Sequence, residues 1–250
     1  VKDPEVRVYH DRTQERNFKT KVGNYPHQLV LGASVPLHIR AIGLQNAAIT
    51  YTEKSDITGL EGEVKVRDLQ LYFTNLTNKP ALIQKDPVMK AEGKGNILGS
   101  PITALFNFHL DSSNGQFNVK GQVGNMKGAQ LNVISVPLAQ IQINSLQIHK
   151  VDFAITADDN NGYCNLDMTY NDFSITIKEI SRDEGTRESR GFISKAVNRF
   201  IVYNHNPLNG NTRVARGAKF MRLNDQSFFG MVWRSIFAGM QEIMLSSGSL

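Results

Sequence analysis

The side chains that can do chemistry are few, and none is spaced for catalysis. Six histidines, His10, His27, His38, His109, His149 and His205, can in principle hold a metal or carry a proton. None stands in an HExxH or other ligand spacing. His38, His109 and His149 fall on the polar positions of strand-like runs and read as solvent-facing. There is no GxSxG elbow, no Walker A loop and no dinucleotide-binding glycine fingerprint after a strand. GKGNILGS (93–100) is glycine-rich, but it lacks a closing Lys-Ser/Thr and opens no helix, so it reads as a strand and a turn. Asp158-Asp159-Asn160-Asn161-Gly162 has the composition of a calcium loop without its D-x-D-x-D-G spacing or terminal Glu, and reads as a turn. Carboxylate pairs such as Asp183-Glu184 sit in polar loops with nothing to shift their titration. Cys164 is the single cysteine. It excludes an intramolecular disulfide and a multi-Cys metal site, and reads as a small core residue. The expectation is a non-enzymatic protein with no catalytic residue, metal or cofactor.

The elements around these residues are mostly strands. The chain has 250 residues, with 20% charged and 8% aromatic content. That is long enough to bury a sizeable core and is neither disordered nor fibrous in composition. Net charge is +5, from 28 Lys and Arg against 23 Asp and Glu. The basic residues are scattered, which argues against nucleic acid and is compatible with weak affinity for an anionic membrane surface. The start, VKDPEVRVYH, carries no Met, basic n-region or apolar h-region. It reads as the middle of a longer protein.

From about residue 28 a period of two dominates. Val35, Leu37 and Ile39 alternate with polar partners, as do Ile49 and Tyr51, then Val64 and Val66. The apolar phase then slips to Leu69, Leu71 and Phe73, which predicts a bulge or bend near Arg67-Asp68. Ile102 to Leu110 and Phe117 to Val123 flank DSSNG (111–115), a hairpin whose Asn-Gly accepts positive φ cheaply. Val151 to Ile155 and Cys164 to Tyr170 flank ADDNNG (157–162), a second hairpin. Asn171-Asp172 is expected to turn the chain into Phe173, Ile175 and Ile177. Between the hairpins, 127–140 fits a short helix near 128–135 stopped by Pro137.

The end of the chain breaks the pattern. Residues 181–191 read as a charged loop and 194–204 have helical spacing. In QSFFGMVWRSIFAGMQEIML (226–245), Phe228, Phe229, Val232, Trp233, Ile236, Phe237, Met240, Ile243 and Met244 fall on about half the helical circumference. Ser227, Arg234, Ser235, Gln241 and Glu242 take the other half, and Asn224-Asp225 can cap the start. Arg234 and Glu242 in its body make the helix amphipathic rather than spanning. It would pack on a sheet face or lie against lipid.

A mainly β organisation follows: a polar entry segment or linker over 1–27, an antiparallel β domain over 28–180, and charged loops with amphipathic helices over 181–250. Two stretches within the β domain, 44–71 and 146–175, share a pattern. Leu44-Gln45 matches Leu146-Gln147, Ile49 and Tyr51 match Val151 and Phe153, and Asp68-Leu69 matches Asp172-Phe173. The pattern suggests a sheet built from similar units.

LQNAAITYTE (44–53), LQLYFTNLTN (69–78), VDFAITADDNNGYCNLDMTYND (151–172) and SFFGMVWRSIFAG (227–239) occur in an order that resembles the C-terminal part of AsmA-like proteins of Gram-negative envelopes, in particular a bacteroidete-type branch. The resemblance covers most of 30–245. It implies an elongated, curved antiparallel sheet, a β-groove with an apolar concave face. It also implies a periplasmic protein held by an N-terminal transmembrane helix absent from this sequence, and a role in phospholipid transport or outer-membrane homeostasis. It carries over no catalytic residue.

The candidate groove lining is Phe106, Phe108, Leu110, Phe117, Val119, Phe153, Ile155, Leu166 and Met168. Phe229, Trp233 and Phe237 are candidates to touch the membrane or seal the groove. The expected partners are a phospholipid or other acyl-chain ligand, a membrane surface and an envelope protein. A closed hydrophobic core leaves the same alternation. The alternative is therefore a structural or interaction module that contacts a protein through an edge strand or the basic 211–222 segment. A covered or open apolar face separates the two.

Overall fold

A computed structural model of the chain describes residues 1–13, 21–177, 200–224 and 226–247. Its elements are β1 (Glu5–Asp11), α1 (Pro26–Leu31), β2 (His38–Lys54), β3 (Glu61–Thr77), α2 (Pro80–Lys85), β4 (Val88–Ile97), β5 (Ser100–His109), β6 (Phe117–Val123), β7 (Met126–Lys127), α3 (Asn132–Ala139), β8 (Ile141–Ala157), β9 (Asn161–Ile177), β10 (Phe200–Val202), β11 (Val214–Met221), α4 (Phe228–Met244) and β12 (Leu245–Ser247). Ten strands form one sheet in the order β1-β2-β3-β4-β5-β6-β8-β9-β11, with β7 beside β8. All pairs are antiparallel except β1 with β2. The sheet does not close into a barrel. β10 and β12 form a separate two-stranded sheet.

Registry puts the apolar residues of successive strands on one face. One row runs Met89, Phe108, Phe117, Ala157, Gly162 and Phe220. The next runs Ala91, Phe106, Val119, Ile155, Cys164 and Ala218. This inner face continues through Phe73, Leu71 and Leu69 of β3 to Ile42, Leu44 and Ala47 of β2. The predicted phase slip is a bulge: Asp68 has φ 52°, and the β3–β4 register shifts between Arg67 and Gln70. A second positive-φ residue, Asn46, sits where the β2–β3 register shifts. Bulges bend the strand and sharpen its twist.

The sheet curls accordingly. β3 and β8 are four strand spacings apart, about 19 Å along a flat sheet. Yet α3 meets both. Asn132 exchanges two hydrogen bonds with the Ile143 backbone of β8, at 2.9 and 2.8 Å. Ile134 and Leu138 lie against Gly62 of β3. Asn132 to Leu138 spans only about 9 Å of helix. The inner faces of β3 and β8 therefore approach each other, and α3 closes one end of a trough.

α4 lies along the inner face over β9 and β11. It buries Met231, Ser235, Gly239 and Ile243, a narrow arc of small and flexible residues. The sheet below it is also small: Gly162, Cys164, Ala215 and Ala218 are all buried. A Cβ at Gly162 would come within 2.3 Å of Ser235 Oγ and 2.9 Å of Met231 Cε. One at Gly239 would meet Leu166 Cβ at 3.0 Å. The helix starts at Ser227, whose hydroxyl accepts from the Gly230 N–H at 3.2 Å, as an N-cap should. Its last turn is held by Arg213, whose guanidinium donates to the carbonyls of Ile243 and Glu242, each at 2.9 Å.

Several expectations need correction. Residues 5–11 are an edge strand rather than a linker, and 21–31 pack into the core through Tyr25 and His27, both fully buried. Val35 and Leu37 precede β2. β9 runs unbroken through Asn171-Asp172, where Asp172 takes positive φ inside the strand instead of turning the chain. Pro137 lies inside α3 and does not stop it. The cap of α4 is Ser227, not Asn224-Asp225. The helix expected over 194–204 lies mostly outside the described residues, and its described end is the strand β10. The charged loop 181–191, with Asp183-Glu184, is also outside them. The two stretches aligned in sequence lie in hairpins of equal size, β2–β3 and β8–β9, with 17 residues in every strand.

The helix–sheet seam generates a direct test. Gly162→Val should destabilise the fold by about 1–3 kcal/mol through overpacking, read as a lower urea midpoint. A change within experimental error would show that α4 does not sit this close.

Candidate functional site

The nine residues expected to line a groove do come together, in one cluster. Eight of them, Phe108, Leu110, Phe117, Val119, Phe153, Ile155, Leu166 and Met168, are buried, while Phe106 is half-buried against the Phe228 ring. In this half of the sheet the apolar face is a closed core, because α4 and the 21–31 segment cover it. Phe228 plugs the cluster, with its ring 5.1 Å from Phe117, 5.6 Å from Phe108 and 5.8 Å from Tyr25. Gly121 makes room for Phe153, whose Cζ would lie 2.3 Å from an added Cβ. Cys164 is fully buried here, and burial pushes its thiol up to about 12, which makes it inert as a nucleophile.

The other half differs. The inner-face residues Ile42, Leu44, Ile49 and Tyr51 of β2 and Val64, Val66 and Leu71 of β3 are only partly covered. Val6 of β1, beside Ile49, is 49% exposed. The side of α4 turned away from its seam is open as well. Phe229, Trp233 and Phe237 lie there at i, i+4 and i+8, exposed by 48, 41 and 41%. Trp233 and Phe237 stack with ring centres 6.4 Å apart. The sequence places these aromatics on an apolar arc that would pack on the sheet or touch the membrane, and Ser235 on the polar one. In the structure Ser235 and Gly239 meet the sheet and the aromatics do not. Among the described residues no helix is long and apolar enough to cross a membrane.

The end of the trough opposite α3 is closed by the 21–31 segment. Arg222, with its side chain 1% exposed, pairs with Asp159 at 2.9 Å and lies 4.1 Å over the Tyr25 ring. Asp159 also accepts from Gln28 Nε2 at 2.8 Å, and the Tyr25 hydroxyl donates to the Asp158 carbonyl at 3.0 Å. The ADDNNG turn therefore anchors the segment with its carboxylate and carbonyl. Two arginines of the basic 211–222 stretch, expected as a partner surface, are engaged within the protein, Arg213 with α4 and Arg222 with Asp159, while Arg216 makes an exposed pair with Asp167 at 2.8 Å. These anchoring roles of Tyr25, Asp159, Arg213 and Arg222 join residues far apart in the chain, and no local pattern marks them.

Two concavities open on the outer, polar face instead. One of about 250 Å³ is lined by residues including His38, Arg40 and Lys90, and one of about 680 Å³ by residues including Glu63, Lys65, Arg67 and Val133. Both lie opposite the apolar face, and neither assembles a nucleophile with a base. Compared with family models, with curated proteins and with solved structures, the chain matches none.

His27 sits in the plugging segment, fully buried beside Phe108 with ring centres 5.2 Å apart. The Gly115 backbone is near enough to favour its charged form slightly, yet neither ring nitrogen makes a bond of acceptable geometry. Burial lowers its pKa to about 4, with Asp159 pulling the other way and His109 adding to the fall. Below the unfolded value of about 6.5 the unfolded chain takes up a proton that the folded one refuses. Stability is therefore full above that pH and falls between pH 6.5 and 4, by up to about 3 kcal/mol. His27→Phe should flatten this limb in unfolding midpoints taken at pH 7, 6 and 5. An unchanged limb would remove His27 as its cause.

Proposed function

We propose that this chain binds the acyl chain of a lipid in its trough and serves the cell envelope in phospholipid transport or outer-membrane maintenance, as a non-enzymatic periplasmic protein anchored by a preceding helix. One observation carries the reading: the Phe229–Trp233–Phe237 arc of α4 is exposed, and the apolar inner face of β1–β3 is only partly covered. Apolar surface left open within a fold marks a binding surface. Acyl chains ask only for such area. Each CH₂ taken from water contributes about 0.8 kcal/mol, with no polar ligand required, and this agrees with the absence of a motif. The resemblance to AsmA-like proteins supplies the envelope setting.

The closed core under α4 favours a second reading, a structural module whose partner pairs with a sheet edge. β1 is such an edge, and it carries the exposed side chains of Val6 and Tyr9.

The two readings part in one experiment. Trp233 is the only tryptophan, so its emission reports on the arc alone. Titration with a monoacyl lipid below its micelle concentration should shift the emission to the blue. The double variant Phe229→Asp/Phe237→Asp should weaken binding by about tenfold or more, a loss of ~1.4 kcal/mol or more, while both sites are exposed enough to leave the unfolding midpoint nearly in place. Phe106→Asp or Phe153→Asp would instead disrupt the core. Absence of any shift, with no lipid retained on purification, would leave the edge-pairing module.

A further inference from the structure

Tyr25 and His27 enter the core on a segment, 21–31, that belongs to no strand. Its polar ties run to a turn and to a strand end. The Lys21 N–H donates to the Asn224 carbonyl at 2.7 Å, and Arg222 donates to the Lys21 carbonyl at 2.6 Å. Asp159 accepts from the Gly23 N–H at 3.2 Å and from Gln28 Nε2 at 2.8 Å. Beyond the segment Asn78 holds the chain, donating to the carbonyls of Ala33 and Val35 at 3.1 and 2.9 Å. Between these fixed points lies α1, six residues long. A helix so short has no stability of its own. It persists only while Tyr25 and His27 are docked.

The docked rings sit on the phenylalanine cluster. Tyr25 meets Phe117 and Phe228 edge-on at 5.1 and 5.8 Å, and His27 lies 5.2 Å from Phe108. The Tyr25 hydroxyl is satisfied by the Asp158 carbonyl at 3.0 Å. His27 is fully buried, and neither ring nitrogen has a partner of acceptable geometry. An imidazolium carries two N–H donors, and a buried seat that offers no acceptor disfavours it. The groups around it do not supply one. Asp159, in the β8–β9 turn, already accepts from Arg222, Gln28 and Gly23. The Asp158 carboxylate is turned to the N–H groups of Asn160 and Asn161, at 2.7 and 2.8 Å. His109, at the end of β5, meets Asn118 at 2.9 Å.

We propose that 21–31 is an acid-released plug: a proton on His27 drives the segment from its seat while the sheet and α4 stay folded, and uncovers the phenylalanine cluster at that end of the trough. The inference stands apart from the acyl-chain reading and does not need it. Burial holds His27 at about 4 in the docked segment, against an ordinary 6.5 once released. Docking is therefore full above pH 6.5 and weakens as the pH falls toward 4. Between pH 7 and pH 5 the released fraction should rise about twentyfold.

Amide hydrogen exchange of the whole chain tests this, at pH 7, 6 and 5, with rates corrected for intrinsic exchange and measured without urea and in low urea. The α1 amides of Leu29 and Gly32, bonded to the Tyr25 and Gln28 carbonyls, should open more readily than those of β8 and β9. Their opening should be nearly independent of urea, as a local release is, and should rise about twentyfold from pH 7 to pH 5. His27→Phe should hold it flat across this range. Gln28→Ala removes one tie to Asp159 and should raise α1 opening about tenfold at every pH, leaving β8 and β9 unchanged. If α1 opens with the same free energy and urea slope as β8 and β9, there is no separate plug and the inference fails. If His27→Phe keeps the full rise, another group is the trigger and it fails as well. A flat wild-type profile would overturn it outright.

Discussion

Gly162 and Gly239 carry no side chains where α4 crosses β9, and the approach of helix to sheet is set there. With Ser235 at the same contact, they let the helix backbone settle closer than a leucine-lined seam would permit. Close approach fixes the rotation of the helix, since only the small residues fit under it. Rotation in turn decides where the aromatics point. Had the seam been built of large residues, Trp233 and Phe237 would have been drawn into the core. They are instead left on the opposite side, and the rest of the account depends on that placement.

The curl of the sheet makes its apolar face concave. Positive-φ residues at Asn46 and Asp68 bend the β2–β3 hairpin, and α3 ties β3 back toward β8. The outcome is a trough with two unequal halves. Under α4 the apolar face is sealed with phenylalanines and supplies the stability. Along β1–β3 the same face continues with smaller side chains, and among the described residues α4 does not cover it and α3 meets it only near Gly62. A sheet designed only for stability would cover both halves. Its ends are closed by α3 on one side and by the Arg222–Asp159–Tyr25 cluster on the other.

Much of the fold was legible in the alternation, because a half-buried antiparallel strand must repeat every two residues. The slip at Arg67-Asp68 announced a bulge, and DSSNG and ADDNNG announced hairpins, since turn chemistry is local. The N-terminal strand was not legible, because β1 is short, polar and held chiefly by its pairing with β2. Asn171-Asp172 misled for a related reason: a residue tolerant of positive φ serves a bulge as well as a turn. The candidate site was half legible. Phe229, Trp233 and Phe237 could be named from the sequence, but their apolarity left open whether they pack on the sheet or touch lipid. Whether Gly230, Ser235 and Gly239 or the aromatics face the sheet depends on what β9 and β11 offer beneath, and Gly162, Ala215 and Ala218 lie far away in sequence.

The central claim is that an acyl chain lies against the outer arc of α4, and contact quenching tests it most directly. A fatty acid brominated at mid-chain would be added to the protein in the absence of any bilayer, and Trp233 fluorescence followed against the unbrominated acid. Bromine quenches indole only at near contact. Strong quenching by the brominated chain, saturating with binding, is the predicted result. Bound fatty acid that leaves Trp233 unquenched would contradict the account, because the ligand would then lie elsewhere on the protein.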